Sequence, residues 1–560
     1  MASSPIEDAL NRRPPFELAQ RRVRVARDRL TTIRVPADSD GQFRRWYPPG
    51  IEPTEGNEVK YLIDGPDTFS EIARVLRLAT NSRHFIYFCA WWIDPDEPLD
   101  PSAPGSTLRE LFTVAGKAGV EIRLLLYRNY TQGLDKVATV WQQQLVVTKT
   151  QTNFIDLVRG FKNGWAVSDY RVPTEPFGAH HQKLMLVYGA GGLTAFCGGI
   201  DLNADRIQWR KTPDSPGSPL HDVHCRVRGP AALDLLSTFV ERWNDHPDAT
   251  KGGVRVPLLG ATYGRDFPTG TSYVGVGKTY ANGTRHPLPK PSIASYGTAY
   301  SFAPNGLRTA EALALNAIAN ANRFIYIEDQ YFFSVSARDA LIAAFGRGVQ
   351  HVTVVLTWPA YMLPLMNDHR RDQLRSIRAV GKERLRICFL QPEQDRHTYV
   401  HSKMTIVDDE FVSIGSANYN RRSFTHDSEV VAGMVDQHTP GDVVFNLAHR
   451  LRIAMWAEHL NMKTGAGYAE LADGVASAVH FLDPPPGARV VPYYEDDPNQ
   501  PMVTNAVQTS IAPYLALLEA ADVLGFSYAQ TINQVLGALD PTKNPLTPIQ
   551  LWGLIDPDGA

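Results

Sequence analysis

The sequence predicts an α/β protein made of two repeated halves, and three observations favour this fold class. Two distant stretches of the chain show the same order of apolar runs and helical periods, which is typical of alternating strands and helices. The segments FIYF at 85–88 and FIYI at 324–327 are nearly identical. Each stretch is followed by a histidine and a lysine two residues apart. A long-period internal repeat explains these observations, and two such halves can share one cleft.

The first repeat begins near Val59 with a short apolar run. A helix is predicted after it from the apolar residues at 69, 72, 75 and 76, and the run FIYFCAWWI at 85–93 predicts a buried strand. A second helix follows, with Ser106 as its N-cap and Gly119 at its end, before an apolar strand at 120–127. This order is typical of a sheet covered by helices.

The second repeat has the same order of elements. It comprises a helix at 309–323, a strand at 324–333, a helix at 337–348 and a strand at 349–358. Residues rich in Gly, Pro, Tyr and Thr separate the repeats, and an apolar helical stretch follows at 507–526. The predicted organisation is an N-terminal arm at 1–55, a first half at 56–250, a connecting segment at 251–307, a second half at 308–465 and a C-terminal extension at 466–560.

Length and composition limit the possible classes of protein. A chain of 560 residues with 43% hydrophobic and 21% charged residues fits a folded protein with more than one packed unit. The formal net charge of -3 gives no general attraction to nucleic acid. The four cysteines lie singly in apolar stretches, so we expect buried free thiols, which suit a reducing compartment.

No targeting or membrane-spanning segment is predicted. The N-terminal region lacks the apolar core of a cleavable secretory signal, and no later run reaches the roughly 18 apolar residues of a spanning helix. We therefore expect a protein that is cytoplasmic as synthesised, with peripheral membrane contact or export by a signal-independent route as alternatives.

Two short motifs carry the chemistry. His181 and Lys183 lie two residues apart in the first half, and His401 and Lys403 do so in the second. On a strand, residues two apart point to the same face, so each pair is expected to direct an imidazole and an ammonium into one space. For a single pair, a core histidine beside a surface-reaching lysine would be the ordinary explanation.

The residues that follow the two motifs also correspond. A glycine turn at 198–201 begins 17 residues after the first histidine, and a turn at 415–418 begins 14 residues after the second. Asp222 and Glu429 then each open an apolar strand. Because the whole order occurs twice, it indicates one site assembled from both halves.

The residue types indicate phosphodiester chemistry. A phosphodiester is anionic, so two lysines beside it would offset the charge that repels a nucleophile. One neutral imidazole can attack phosphorus to give a phosphohistidine, and a second, protonated imidazole can protonate the leaving oxygen.

Other polar residues are expected to support the two histidines. A carboxylate on the far ring nitrogen usually orients a catalytic imidazole, and Asp222 and Glu429 are the candidates. Ser416 and Asn418 can donate hydrogen bonds to a phosphate oxygen, whereas Asp201, at the equivalent turn, cannot donate in the same way as a carboxylate.

The motifs resemble the paired HxKxxxxD signatures of the phospholipase D superfamily. The second motif, His401, Lys403 and Asp408 followed by GSAN and RSF, matches completely. The first, HHQKLMLVY followed by GGIDL, departs at Tyr188, where the family has aspartate. The resemblance extends from about residue 59 to about residue 460.

The resemblance implies two α/β halves, each a mixed sheet flanked by helices, packed with pseudo-twofold symmetry around an active site at their interface. It implies that His181 is the nucleophile and His401 the acid and base. In the family, the aspartate at the position of Tyr188 is a structural partner more than a reacting group. The resemblance therefore implies that activity is retained although tyrosine stands there. The residues expected to support the site are Ser416, Asp201, Gly199 and Asp408.

Metal ligation is the competing use of histidines and carboxylates. His180, His221 and His224 lie near the first motif or near Asp222, and could suggest a zinc site. The lysine two residues from each motif histidine would repel a cation. We therefore expect no catalytic metal and no cofactor.

The resemblance does not fix the substrate, because lipid hydrolases, lipid synthases and nucleases share this type of site. The HHQK and GGIDL forms most resemble bacterial and eukaryotic-type phospholipases D, which implies a glycerophospholipid with choline or ethanolamine as head group. We expect a monomer that contacts a membrane surface and binds no nucleic acid. The alternatives are a nuclease, a phosphatidyltransferase similar to cardiolipin synthase, and a binding protein with an inactive site.

Overall fold

The computed structural model covers most of both predicted halves. The residues it describes are 43–91, 93–127, 142–169, 179–203, 206, 220–251, 270–281, 299–358, 364–391, 398–425, 427–436 and 446–495. Most of the predicted N-terminal arm and the apolar helical stretch at 507–526 lie outside the described residues.

The described strands are mostly short. In chain order they are β1 Thr54–Ile63, β2 Phe85–Ala90, β3 Glu121–Tyr127, β4 Gly164–Asp169, β5 Leu184–Gly189, β6 Gly192–Gly198, β7 Leu220–His221, β8 Val223–Arg228, β9 Ser272–Tyr280, β10 Leu307–Arg308, β11 Phe324–Asp329, β12 His351–Leu356, β13 Leu385–Leu390, β14 Tyr399–Val400, β15 Met404–Val407, β16 Phe411–Gly415, β17 Glu429–Asp436 and β18 Val490–Pro492.

The described helices follow or connect these strands. They are α1 Asp64–Leu76, α2 Leu108–Lys117, α3 Gln142–Arg159, α4 Ala231–Asp245, α5 Pro247–Lys251, α6 Thr309–Ala319, α7 Val335–Arg347, α8 Pro364–Gly381, α9 Arg421–Thr425, α10 Leu447–His459 and α11 Gly465–Glu470. None of the described helices combines the length and apolar character that crossing a membrane requires.

Most of these strands form one continuous sheet of 16 strands. The order is β1-β8-β6-β5-β2-β3-β4 in the first half and β9-β17-β16-β15-β11-β12-β13-β18 in the second. The halves join where β1 pairs antiparallel with β9, which also pairs with β10. Parallel strands β2, β3 and β4 correspond to β11, β12 and β13. The repeated order confirms the predicted fold of two α/β halves with mixed sheets.

Alternate residues of the central strands face different layers. Ile86 and Phe88 of β2 pack with α1, α2 and α3 on the outer face of the first half. Tyr87 and Cys89 face an inner core that contains residues of both halves together with α4 and α10. In the second half, α6, α7 and α8 cover the outer face. The two halves therefore pack with their inner faces together, and apolar burial there stabilises their association.

Several predicted boundaries were wrong by one to a few residues, and three of them have a local cause. Helix α2 is capped by Thr107 and not by Ser106, because Thr107 and Glu110 form a reciprocal capping box. The strand predicted at 85–93 ends at Ala90, where the Trp91 N–H turns away to bond Asp201 at 3.2 Å. The strand predicted at 324–333 ends at Asp329, whose carboxylate accepts backbone N–H groups of the turn that follows.

Asp408 fixes the beginning of the central strand β11. Its carboxylate accepts hydrogen bonds from the backbone N–H groups of Asn322 at 2.7 Å and of Arg323 and Phe324 at 2.8 Å each. Asp408 itself adopts a left-handed backbone conformation with φ 56°. One charged acceptor thus satisfies the backbone N–H groups at the beginning of β11.

Tyr188 occupies the equivalent position in the first half and supports β2 differently. Its ring stacks on Phe85, with ring centroids 5.6 Å apart, and meets the His84 ring edge-on. Two of the three donors equivalent to those that Asp408 binds are satisfied locally here. The Asn81 side chain accepts from the Arg83 N–H at 2.9 Å, and the Asn81 carbonyl accepts from the His84 N–H at 3.0 Å. The departure from the motif is thus compensated within the first half.

We expect Asp408→Ala to lower the free energy of unfolding by about 2 to 4 kcal/mol, because three backbone donors lose their charged acceptor. Asp408→Asn should cost less, since asparagine tolerates the left-handed conformation and retains one acceptor oxygen. Urea denaturation curves measure both, with Tyr188→Phe as a control that keeps the stacking. Equal stability of Asp408→Ala and wild type would contradict this role.

Candidate active site

The two motif histidines lie in irregular segments and not on strands as predicted. His181 precedes β5 and His401 lies between β14 and β15. Each segment runs beside an acid-bearing segment of the other half, because β14 pairs with β7 and His180 bridges to Ser428. The irregular backbone frees each motif to contact the opposite half while the strand that follows anchors it.

Backbone hydrogen bonds fix each histidine against the opposite half. The His181 N–H donates to the Ser428 carbonyl at 3.1 Å, and the His401 N–H donates to the His221 carbonyl at 2.7 Å. Ser428 and His221 are the residues immediately before the two acidic candidates. The two contacts are equivalent under exchange of the halves, so the motifs meet at their interface.

The imidazoles are also held by carboxylates across this interface. His181 Nδ1 lies 3.0 and 3.1 Å from the two carboxylate oxygens of Glu429. His401 Nδ1 lies 2.7 Å from Asp222 Oδ2. Each half therefore supplies the carboxylate for the histidine of the other half. When the carboxylate is ionised and Nδ1 carries the ring proton, Nε2 is the ring nitrogen available for chemistry.

The two lysines have similar backbone contacts but different side-chain partners. Lys183 Nζ donates to the His181 carbonyl at 3.1 Å and pairs with Asp201 Oδ2 at 3.1 Å. Lys403 Nζ donates to the His401 carbonyl and lies 3.3 Å from the amide oxygen of Gln330. Asp201, whose role the sequence left open, thus neutralises Lys183. The second lysine has neutral partners and retains more of its field for an anion.

The four motif residues lie close enough for the two lysines to affect the pKa of both histidines. Burial is the largest effect that holds the pKa of His181 and His401 well below the ordinary imidazole value. Both Lys183 and Lys403 lower the pKa of each histidine further. An anionic phosphate placed among these groups would offset the lysine charges and favour protonation of one imidazole.

The supporting carboxyl groups are shifted in the opposite direction. Burial raises the pKa of Asp222 to about 7 and that of Glu429 to about 8, while nearby lysines act against this shift. Burial also lowers the pKa of Lys403 to about 8. Several groups of the site therefore titrate near neutral pH, which is typical of acid and base catalysis.

Ser416 and Gly199 occupy equivalent turn positions behind the two carboxylates. The Ser416 hydroxyl donates to Glu429 Oε2 at 2.5 Å and accepts from the Val430 N–H, so it supports this carboxylate, and its donation to a phosphate oxygen stays a prediction. At Gly199 a Cβ atom would lie 2.1 Å from Asp222 Oδ1. The two positions thus shape the space for their respective carboxylates.

Asn418 lies at the end of the same turn and is 2% exposed. Its Oδ1 atom is buried without a hydrogen-bond partner, so this side chain retains polar capacity that the protein does not use. That capacity is compatible with a polar ligand. Phosphate binding by Asn418 stays a prediction.

Three further residues of the site were not found from the sequence. Arg206 is 6% exposed and its charge lowers the pKa of both His401 and Lys403. Trp91 lies edge-on to His181, with ring centroids 6.3 Å apart. Gln330 contacts Lys403. Aligning the repeats would have paired Trp91 with Gln330, but Arg206 lies in an insertion with no counterpart to align.

The histidines considered as zinc ligands do not converge. His180 Nδ1 lies 2.7 Å from Asp169, and His224 packs against Gly198. His221 lies between Asp64 at 3.0 Å and Glu328 at 3.1 Å. Within the described part of the chain, two overlapping buried groups bring possible metal-ligating atoms within 4.8 Å of one another. They are His221, Glu328 and His459, and Asp64, His221 and Glu458.

Comparisons with known proteins find similarity to one superfamily. The family model described as "Cardiolipin synthase, PLD-like domain" matches residues 314–446, which include the second motif. Phospholipase D alpha 1 of Carica papaya is 25% identical over 519 residues, covering 68% of this chain and 63% of that protein. Phospholipase D alpha 1 of Cynara cardunculus is 26% identical with the same coverages. These similarities support membership of the phospholipase D superfamily, which the paired motifs resemble.

The superfamily relatives are longer than the region they share with this chain. The chain spans about 63% of the length of the plant relatives. Among solved structures, phosphatidylserine synthase from Haemophilus influenzae Rd KW20 matches with 11% identity and a TM-score of 0.49, covering 84% of this chain and 96% of that one.

We expect Gly199→Ala to lower kcat about 100-fold on bis-p-nitrophenyl phosphate, because its Cβ atom would displace the Asp222 carboxylate from His401, which activates water in the step that limits turnover. Gly191→Ala is the matched control, since its nearest contact would be an ordinary 3.4 Å. Steady-state kinetics compare the two variants. Full activity of Gly199→Ala would show that Asp222 does not need this space.

We expect Glu429→Gln to make the protein more stable than wild type at pH 8 by about 1 kcal/mol or more, while removing activity. The folded protein holds a proton on Glu429 up to about pH 8, whereas the unfolded chain releases it near 4.5. Wild-type stability therefore falls between these pH values relative to the variant. Thermal unfolding at pH 5 and pH 8 measures the difference.

Glu458→Gln is the matched control for this prediction and should act in the opposite direction. Although burial opposes it, the charges of His221 and Lys463 lower the pKa of Glu458 to about 2. Its ionised form therefore stabilises the fold above pH 4.5, and this contribution is lost as the pH falls toward 2. Both variants losing stability at pH 8 would contradict the assigned shift of Glu429.

Proposed function

We propose that this protein is a phospholipase D-type phosphodiesterase that cleaves glycerophospholipids through a phosphohistidine intermediate. The observation that carries the proposal is the reciprocal arrangement of the two histidines. Each imidazole is bound at Nδ1 by a carboxylate of the other half, and both lysines act on both imidazoles. Such a site can stabilise an anionic phosphoryl group while one imidazole attacks it and the other transfers protons.

In the first step His181 Nε2 attacks phosphorus and forms a P–N bond. The bond between phosphorus and the head-group oxygen breaks, and His401 donates its proton to that oxygen. Lys183 and Lys403 offset the charge on the non-bridging oxygens, and Glu429 and Asp222 keep the two rings oriented. The free head group leaves, and the phosphatidyl group stays on His181.

In the second step His401, now neutral, accepts a proton from water as the water oxygen attacks phosphorus. The P–N bond breaks, which regenerates His181 and releases phosphatidic acid. An alcohol in place of water would give a transphosphatidylation product by the same route. Side chains of this protein carry out every step, so the proposal requires neither a metal nor a cofactor.

Several observations favour a lipid substrate. The plant relatives are named phospholipase D, and the net charge of -3 does not favour a polyanionic nucleic acid. Trp91 lies beside His181 and the Tyr399 ring stacks near His401, and such rings suit the quaternary ammonium of choline. We propose phosphatidylcholine or phosphatidylethanolamine as substrate, bound by a monomer in peripheral contact with a membrane and cytoplasmic as synthesised.

A phosphatidyltransferase similar to cardiolipin synthase is the second candidate. The description of the family model that matches residues 314–446 favours it. The intermediate would be the same, and only the acceptor would differ, because an alcohol of another lipid would replace water. The acceptor preference therefore separates the two candidates.

The test incubates purified protein with phosphatidylcholine vesicles, ethanol and a chelator, and identifies products by lipid mass spectrometry. Phosphatidic acid and phosphatidylethanol should form with the wild type. His181→Ala and His401→Ala should each lose at least about 1,000-fold of the rate, because the covalent route needs both groups.

Three outcomes would overturn the proposal. Cleavage of DNA without a lipid product would indicate a nuclease, and strict transfer to a lipid alcohol would indicate a phosphatidyltransferase. Full activity of either histidine variant would exclude the covalent route through that residue.

A further inference from the structure

Glu328 is a fully buried carboxylate beside the second motif that has no role in the steps above. Four side chains donate to it. Tyr326 and His459 donate to Oε1, the latter at 2.8 Å, and Ser402 and His221 donate to Oε2 at 2.6 and 3.1 Å. We call these five residues the Glu328 cluster. It connects β11, the end of α10, the second motif and strand β7 of the first half.

The first route from the Glu328 cluster to His401 is direct. Ser402 lies between His401 and Lys403 in the chain, and its hydroxyl is bound to Glu328 at 2.6 Å. Because the motif segment is irregular, no strand hydrogen bonds hold this position. The bond from Ser402 therefore attaches the motif to the centre of the second sheet.

The second route passes through the first half. His221 donates from its other ring nitrogen to Asp64 at 3.0 Å, and its carbonyl accepts the His401 N–H. Asp64 in turn holds the backbone of Asp222 on both sides, accepting its N–H at 3.0 Å and donating to its carbonyl at 2.8 Å. Asp222 is the carboxylate that binds His401 Nδ1. Glu328 is thus linked to the ring and to the backbone of His401.

Glu328 itself has no counterpart in the first half, where other residues support His181. Gln182, which follows His181 in the chain, donates to the Tyr280 hydroxyl and to the Glu429 carbonyl at 3.2 Å each. Aligning the two repeats places Cys89 at the position of Glu328, and Cys89 is a buried free thiol. A thiol cannot replace a charged acceptor of four hydrogen bonds. The two histidines therefore differ in what fixes them, although their contacts with Glu429 and Asp222 are alike.

The charges within the cluster are consistent with hydrogen bonding between ionised groups. Although burial opposes both shifts, His221 lowers the pKa of Glu328 well below its usual value, and Glu328 and Asp64 raise that of His221 well above its own. Burial lowers the pKa of His459. Glu458, which also faces His221, is bound by Lys463 at 2.9 Å and Arg489 at 3.1 Å.

We infer that Glu328 is a positioning residue that holds His401 in place for proton transfer, acting through Ser402 and through His221, Asp64 and Asp222. The inference rests on the proposed function. Both oxygens of Glu328 already accept two donors each, so hydrogen bonds alone account for the arrangement. Loss of Glu328 should then impair the steps that need His401 more than the attack by His181.

The test uses bis-p-nitrophenyl phosphate, because p-nitrophenolate leaves without needing a proton from His401. In rapid-quench experiments the wild type should release a burst of p-nitrophenolate as the intermediate forms, followed by steady turnover that needs His401 to activate water. Glu328→Gln should retain most of the burst amplitude and slow the steady rate about 100-fold. His401→Ala should show the same pattern, and Ser402→Ala a smaller effect.

Asp409→Asn is the matched control. Asp409 is a buried carboxylate that binds Arg452 at 2.6 and 2.9 Å in the same half. The substitution should destabilise the fold but changes no residue of the Glu328 cluster. The burst amplitude and the steady rate should therefore both fall in proportion to the fraction of folded protein. Their ratio should stay at the wild-type value.

The outcomes are distinguishable. Failure of the wild type to release any p-nitrophenolate would overturn the proposed function itself. A wild-type burst together with a proportional loss of burst and steady rate in Glu328→Gln would overturn only the positioning role. One equivalent of tightly bound transition metal in the wild type, lost in Glu328→Gln, would replace the hydrogen-bonded cluster by a metal site and overturn this inference.

Discussion

The two bonds from imidazole Nδ1 to a carboxylate of the opposite half are the interactions on which the rest of the arrangement depends. His181 needs Glu429 and His401 needs Asp222, so neither half contains a complete pair. The mixed sheets, the join between β1 and β9 and the shared inner core all serve to bring the halves to this register. The fold is therefore best understood as a means of aligning two interdependent segments.

Burial is favourable for the chemistry and unfavourable for stability at the same positions. It raises the pKa of Asp222 and Glu429 and lowers that of Lys403, so groups that would be fully charged in water titrate near neutrality. The surrounding apolar core must offset this destabilisation. Glu328 shows another solution, because several donors match its charge and its pKa lies well below the usual value although burial opposes this shift.

Much of the fold and the central residues of the site could be predicted from the sequence. Apolar periodicity predicted the core strands and helices because it reflects burial directly, and the repeated motif identified His181, Lys183, His401 and Lys403. The crossing of Asp222 and Glu429 between the halves could not be predicted, since periodicity contains no information on how two halves dock. The contact of Ser416 with Glu429 could not be predicted either, because a hydroxyl suits a phosphate and a carboxylate equally well.

Because each half supplies the carboxylate for the histidine of the other half, the two histidines should lose their support cooperatively. A protein whose reacting groups each have local support can lose them one at a time as it opens. Here any separation of the two inner faces breaks the contacts at Glu429 and Asp222 together. Opening of the interface therefore removes the support of both imidazoles together, so the two histidines gain or lose their orientation as one unit.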